Sequence, residues 1–238
     1  MKTIGITGGI GSGKSYVSNL LRQKFGIPVY DCDKEAKRLT AEDEEIRQRL
    51  IALVGPEVFA GGGLNKQLLA DYLFADVEHA SAVNAIIHPV VLKDFVEWSM
   101  VLPRQQSLPG AGASGNGQCS MFNGQWSMVG LESAILYESG FNASVDYVLF
   151  VDAPEDVRLR RAMLRDNASE AQIRARMKMQ RPELHRLQAD FIIDNSTDDN
   201  TRLQEQLANI VYRLLVIEAI KATRLFKLWT QGSFHSRH

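Results

Sequence analysis

The chain has 238 residues, with 27 Lys and Arg against 28 Asp and Glu, for a formal charge of −1. Hydrophobic residues make up 45% and charged residues 23%, which excludes wholesale disorder, and the balanced charge argues against a protein built to coat nucleic acid. Two cysteines, Cys32 and Cys119, exclude a disulfide framework and point to a reducing, cytoplasmic compartment.

Residues Thr3 to Thr7 read as a short buried strand, followed at once by a glycine-rich loop from Gly8 to Gly13. The first residues meet glycine before the apolar stretch of a leader peptide forms. From Lys14 a helical pattern places Val17, Leu20, Leu21 and Phe25 near one face, and Gly26 ends it. Ile27 to Tyr30 is a second strand, closing on Asp31-Cys32-Asp33. Strand, glycine loop, helix and strand in this order open an α/β fold with a parallel sheet.

Helical spacing then runs from Lys34 to Met100, with a break expected at Pro89. So long a run between two parallel strands exceeds a simple crossover and reads as an inserted lobe. Gly, Ser, Asn, Gln and Pro dominate from Pro103 to Gln125, the composition of a flexible loop. Strands are expected at Ser127 to Leu131, Tyr147 to Val151 and Phe191 to Ile193, giving five in all. A helix starts after Pro154, a very basic stretch covers Ser169 to Arg181, and a final amphipathic helix carries Leu203, Leu207, Ile210, Val211, Leu214 and Leu215. The late apolar run from Ile210 to Ile220 contains Arg213 and Glu218 and falls short of the ~20 apolar residues that span a bilayer, so no membrane partner is expected.

Gly8-Gly9-Ile10-Gly11-Ser12-Gly13-Lys14-Ser15 matches G-x-x-x-x-G-K-[ST] in full. The chain must wrap a polyphosphate with its backbone N–H groups inward, and glycine permits that path. The helix that follows aims the positive end of its dipole at the anion. Gly9, Ile10, Gly11, Ser12, Gly13, Lys14 and Ser15 are therefore the expected ATP contacts, with Lys14 reaching the β- and γ-phosphates and Ser15 holding Mg²⁺. A guanine-nucleotide switch would need Asn-Lys-x-Asp after a later strand; the one Asn-Lys, at Asn65-Lys66, lies in a helical stretch and lacks the Asp. A small kinase remains, with an acid expected at the end of the second strand, where open α/β sheets present their ligand crevice. Asp31 and Asp33 stand there, and two carboxylates at i and i+2 in an extended turn point roughly the same way. One would accept the proton of an attacking hydroxyl, the other would act on Mg²⁺ through water; helix capping is the competing use of either.

Taken together, several segments carry a resemblance. They are Ile6 to Ser15, Asp31 to Ala36, Gly63 to Lys66 with Leu68 and Phe74, Ile86-Ile87-His88-Pro89, Glu132 to Glu138, Arg161 to Asp166, Gln180, and Ala189 to Asn195. In order and spacing the chain resembles the dephospho-coenzyme A kinase family over nearly its whole length. The resemblance implies an α/β phosphate-loop NTPase fold: three layers (α/β/α) on a five-stranded parallel sheet, an inserted helical lobe for the acceptor and a basic helical lid. It implies transfer of the γ-phosphoryl of ATP to the ribose 3′-hydroxyl of dephospho-CoA, the last step of coenzyme A synthesis, with no obligate protein partner. Asp33 is then the general base, Thr7 lies beside the reacting phosphate, and Asp31, Lys66 and His88 stand on the acceptor side. Lys66 takes the place of an Arg usual in the family, a poorer bidentate phosphate partner. Arg161 and Arg165 match the lid motif, share a helix face and would meet the transferring phosphoryl as the lid closes. Asn195 follows the last strand, where it would either bond the adenine edge or cap a turn. The expected organisation is one domain over 1–238: a nucleotide core of 1–32 and 126–238, a helical lobe 33–100, the loop 103–125 and a lid 158–182. A shikimate- or nucleoside-type kinase, or a non-catalytic nucleotide switch, are the competing readings.

Overall fold

The computed structural model describes residues 1–105, 128–197 and 199–232, with backbone alone at 103–105, 222 and 224–232. The expected flexible loop 103–125 lies almost wholly outside the described residues.

Five strands form one parallel sheet in the order β2-β3-β1-β4-β5. They are β1 (Lys2–Thr7), β2 (Val29–Asp31), β3 (Met128–Glu132), β4 (Tyr147–Asp152) and β5 (Phe191–Asp194). β1 is central, pairing Ile4 with Gly130 on one side and with Tyr147 on the other. The strands read as near-continuous apolar runs because both faces are covered. Ile4, Ile6, Leu149, Val151 and Ile193 face α1 (Lys14–Phe25) and α9 (Asn200–Gly232), which contribute Val17, Leu21, Leu203, Leu207 and Leu214. Alternation sends Val129, Leu131 and Val148 to the opposite face.

That second face is covered by α2 (Cys32–Glu42), α3 (Glu44–Val54), α4 (Lys66–Leu73) and α5 (Val77–Gln105), through Leu39, Ile46, Leu50, Leu69, Val83, Val91 and Phe95. The helices between β2 and β3 therefore share one core with the sheet. α6 (Glu155–Asp166), α7 (Glu170–Met177) and α8 (Pro182–Gln188) connect β4 to β5.

One expected boundary is absent. α5 is unbroken through Pro89, where a break was expected. Proline removes the N–H that would bond the carbonyl four residues back, and that carbonyl, Ala85 O, accepts instead from Arg49 Nη2 of α3 at 3.5 Å. A tertiary donor compensates the lost bond in part. Among the described residues no helix is long and apolar enough to cross a membrane.

Candidate active site

The loop between β1 and α1 lies at the carboxyl edge of the sheet, where the helix dipole and the strand ends converge. Its path needs glycine for two different reasons. Gly11 and Gly13 hold φ of 78° and 97°, which side chains disfavour. Gly9 and Gly11 are also pressed from outside: a Cβ at Gly9 would lie 2.2 Å from Arg158 Nη1, and one at Gly11 2.1 Å from the Arg158 carbonyl oxygen.

Several polar groups of the loop are bonded to protein. Lys14 Nζ donates to Gly8 O at 2.9 Å and Gly9 O at 3.2 Å. Asn195 Nδ2 donates to Ser12 O at 2.7 Å. The N–H of Ile10 donates to Gln180 Oε1 at 2.8 Å. The first N–H groups of α1 have no acceptor within the helix and suit an anion.

Three of the expected contacts have partners or surroundings within the protein. The Ile10 N–H is taken by Gln180. Asn195 is buried, with its amide nitrogen on Ser12 O. Thr7 is wholly buried, and among the described residues its hydroxyl has no hydrogen-bond partner.

Ser15 and Lys14 stand where the motif puts them. Ser15 Oγ donates to Glu132 Oε1 at 2.7 Å, and Glu132 is buried at the end of β3. Burial holds the Lys14 ammonium below the usual lysine range; Asp33 and Glu132 oppose that push, and the guanidiniums of Arg165 and Arg158 add to it. All four of these charged groups bear on Lys14.

The Asp31/Asp33 pair divides its work. The expected extended turn is absent because the helix begins at Cys32. Asp31 is the N-cap, its carboxylate accepting from Lys34 N at 3.0 Å, so it is spent on the helix and not aimed with Asp33. Asp33 lies in the first turn and feels Lys14 directly. Protein around its carboxyl raises the pKa, Lys14 pulls it back, and the Asp31 charge raises it again. The outer face of the residue is open to solvent, which screens part of that push and leaves room for a substrate.

Of the two arginines expected in the lid, Arg161 donates to Asn195 O at 2.7 Å and Thr197 O at 3.2 Å. It therefore ties α6 to the segment after β5, a use the sequence did not suggest. Arg165 is held by Asp166 through Nε at 2.7 Å and Nη2 at 3.1 Å. Lys66 stands exposed in the first turn of α4 and His88 is half-buried on α5. Among the described residues neither bonds to the phosphate loop. His88 packs edge-on against Phe141, ring centroids 5.6 Å apart, and burial keeps its pKa low. It borders a hollow of about 500 Å³ with Val77, Ser81, Asn84, Glu138 and Ser139. A second hollow, about 650 Å³, runs along β2 beside Arg22, Lys34 and Trp98; none of its lining belongs to the loop, and its Arg38 is taken by Glu35 and Asp94.

Sequence reasoning missed Arg158 and Gln180 as loop contacts. Arg158 is buried, its Nε on Ala153 O at 3.0 Å. Nothing local to Arg158 in the sequence signals that use; the neighbouring loop supplies it.

For Mg²⁺, the donor set fits. Ser15 hydroxyl, Glu132 and Asp33 are hard oxygen donors beside an anion cradle, the kind of site that binds this ion jointly with phosphates. Among the described residues no cluster of three or more His, Cys, Asp or Glu forms a self-sufficient cage.

The chain is similar to known proteins in sequence and in fold. The family model for dephospho-CoA kinase matches residues 2–107 and 116–200. The chain is 49% identical over 159 residues to a Bacteroides fragilis dephospho-CoA kinase, covering 67% of each, and 42% identical over 162 residues to the one from Porphyromonas gingivalis, covering 68% of this chain and 69% of the relative. A Thermus thermophilus crystal structure superposes with a TM-score of 0.72 at 32% identity, covering 90% of this chain and 97% of the other. The Campylobacter jejuni dephospho-CoA kinase, 19% identical with a TM-score of 0.57 and covering 90% and 98%, shares the fold.

Proposed function

The chain belongs to the dephospho-CoA kinase family, and on that premise we propose how its own residues carry out the reaction. The reaction moves the γ-phosphoryl of ATP to the 3′-hydroxyl of dephospho-CoA, giving coenzyme A and ADP. The N–H groups of Gly13, Lys14 and Ser15 bind the phosphate tail of ATP, with Gly9, Gly11 and Ser12 shaping the cradle. Lys14 leaves its two loop carbonyls and follows the γ-phosphate. Ser15 and Glu132, with Asp33 nearby, would hold Mg²⁺, which supplies charge neutralisation across the phosphates when bound.

Dephospho-CoA lies between the loop and the helical lobe, and the hollow beside His88 takes part of it. His88, neutral because burial keeps its pKa low, serves there as a hydrogen-bonding group and not a charge. Lys66, exposed at the start of α4, supplies a cation on the acceptor side. Asp33 accepts the 3′-hydroxyl proton as that oxygen bonds to the γ-phosphorus and the bond to the β–γ bridging oxygen breaks; ADP leaves with the electron pair. Arg165 adds positive charge near Lys14. Because such transition states are loose, positioning and charge outweigh base strength.

The observation that carries this reading is the placement of Asp33, on a helix turn that starts at the strand end and within the field of Lys14. A coupled ADP-release assay with dephospho-CoA, shikimate and nucleosides as acceptors tests it. Release with dephospho-CoA alone is expected. Release with shikimate or a nucleoside alone would reassign the acceptor, and ATP binding without acceptor-dependent release would make the chain a nucleotide switch.

A further inference from the structure

The tip of the phosphate loop is plugged into the arm by side chain and backbone at once. The Ile10 side chain packs on the small apolar cluster of Leu159, Ala162 and Ile173, together with Met163 and Met177. That cluster is the only described apolar core of α6 and α7 apart from the two large ones on the sheet faces. The backbone N–H of the same Ile10 donates to Gln180 Oε1 at 2.8 Å. Gln180 lies just past the end of α7, before Pro182 opens α8. Arg158, on α6, closes the third side against Gly9 and Gly11.

We propose that Ile10 and Gln180 form the joint that seats the arm on the phosphate loop, and that Gln180 is a positioning residue for phosphoryl transfer. The arm carries Arg165, whose charge already bears on Lys14. How α6 sits on the loop therefore fixes how far that guanidinium stands from the γ-phosphate. A side-chain bond to Ile10 sets this distance where the cluster alone would let α7 slide, because apolar contacts are non-directional and a hydrogen bond is not. In this joint the Ile10 N–H stays on Gln180 when ATP fills the cradle. Gln180 touches neither substrate nor reacting atoms.

The joint rests on the kinase reading above, and the two fail separately. The test uses the full chain and two variants. Gln180→Met keeps length and volume but removes the acceptor; Gln180→Glu keeps an acceptor oxygen at the same reach. Loss of one such bond should lower kcat about tenfold in Gln180→Met, while ATP affinity measured without acceptor stays within about twofold. Gln180→Glu should recover most of that loss. Amide exchange at Ile10 should quicken in Gln180→Met and return toward the parent rate in Gln180→Glu, a readout independent of turnover. Unchanged kcat and unchanged Ile10 exchange in Gln180→Met would overturn the proposal, as would equal impairment of both variants, since the hydrogen bond would then not be the cause. A parent enzyme without dephospho-CoA-dependent ADP release would overturn the kinase reading instead, and leave the exchange result to decide the joint.

Discussion

The Ser15 hydroxyl donates to the buried carboxylate of Glu132 at 2.7 Å, joining the first turn of α1 to the end of the neighbouring strand β3. A buried acid bonded to the serine hydroxyl of the phosphate-loop motif is placed to orient Mg²⁺ or its water. Glu132→Gln keeps size and one acceptor but removes the charge. The Mg²⁺ concentration for half-maximal activity should rise about 10–100-fold, the usual cost of losing a partner that orients a metal. A magnesium titration at saturating ATP checks this; an unmoved midpoint would restrict Glu132 to holding Ser15.

Asp33 joins two opposed demands. Its carboxyl is pushed above the usual carboxylate range, chiefly by surrounding protein, so the folded state disfavours its ionised form. The stability tied to this group is present below its unfolded pKa and lost as pH rises through its folded pKa. Asp33→Asn should therefore be more stable than the parent at neutral pH, and the two should melt alike at a pH below both values. The same substitution should lower kcat by about 10²–10⁴, with ATP binding little changed. For the parent, the acid limb of kcat/KM should fall at a pH above an ordinary aspartate's. Thermal melts at two pH values and a pH–rate profile measure all of this; near-parent turnover in Asp33→Asn would remove the residue from the base role.

The sheet and its loop were legible because their signals are local. An apolar run, a glycine cluster and an amphipathic helix in direct succession have few alternatives, and strands 2–7, 147–152 and 191–194 fall within a residue of expectation. What escaped depends on partners distant in sequence. Asp31 and Asp33 look equivalent until the helix is seen to start at Cys32, which spends the first on capping. Nothing near Ile10 or Asn195 in the sequence announces their bonds to Gln180, 170 residues on, and to Ser12, 183 residues back. Arg161 likewise bonds two backbone carbonyls more than thirty residues on, at Asn195 and Thr197.

Asn195 gives a direct measure of how much the loop depends on its braces. Its Nδ2 serves Ser12 O in a buried setting, and a Cβ on Gly13 would lie 2.2 Å from the same nitrogen. Asn195→Ala leaves that carbonyl without its donor, which should cost about 1–3 kcal/mol of stability and loosen the cradle. ATP affinity should fall with it. Asn195→Asp is the sharper comparison, because it places an acceptor where a donor is needed and should bind ATP more weakly than the alanine variant. Denaturant melts and ATP titrations test both; parent-like ATP affinity in the two variants would mean the loop holds its shape without this bond.

Pro89 tests whether the long helix of the lobe is strained where it was expected to break. A proline inside a helix costs ~3 kcal/mol or more, through the missing N–H and the ring's clash with the preceding turn. Here Arg49 Nη2 reaches Ala85 O only at the limit of a hydrogen bond, 3.5 Å, so the compensation is incomplete. Pro89→Ala restores the backbone donor, and the variant should be more stable by about 1–3 kcal/mol, read as an upward shift of the melting temperature. Once the backbone serves Ala85 O, the Arg49 bond is redundant. Arg49→Met should therefore destabilise the parent more than it destabilises the Pro89→Ala variant, a non-additivity expected only of groups that share a partner. Additive losses in that cycle would show that Arg49 does not stand in for the missing N–H. A lower melting temperature in Pro89→Ala would mean instead that the ring, which also lines the hollow beside His88, is held there by packing stronger than the strain it causes.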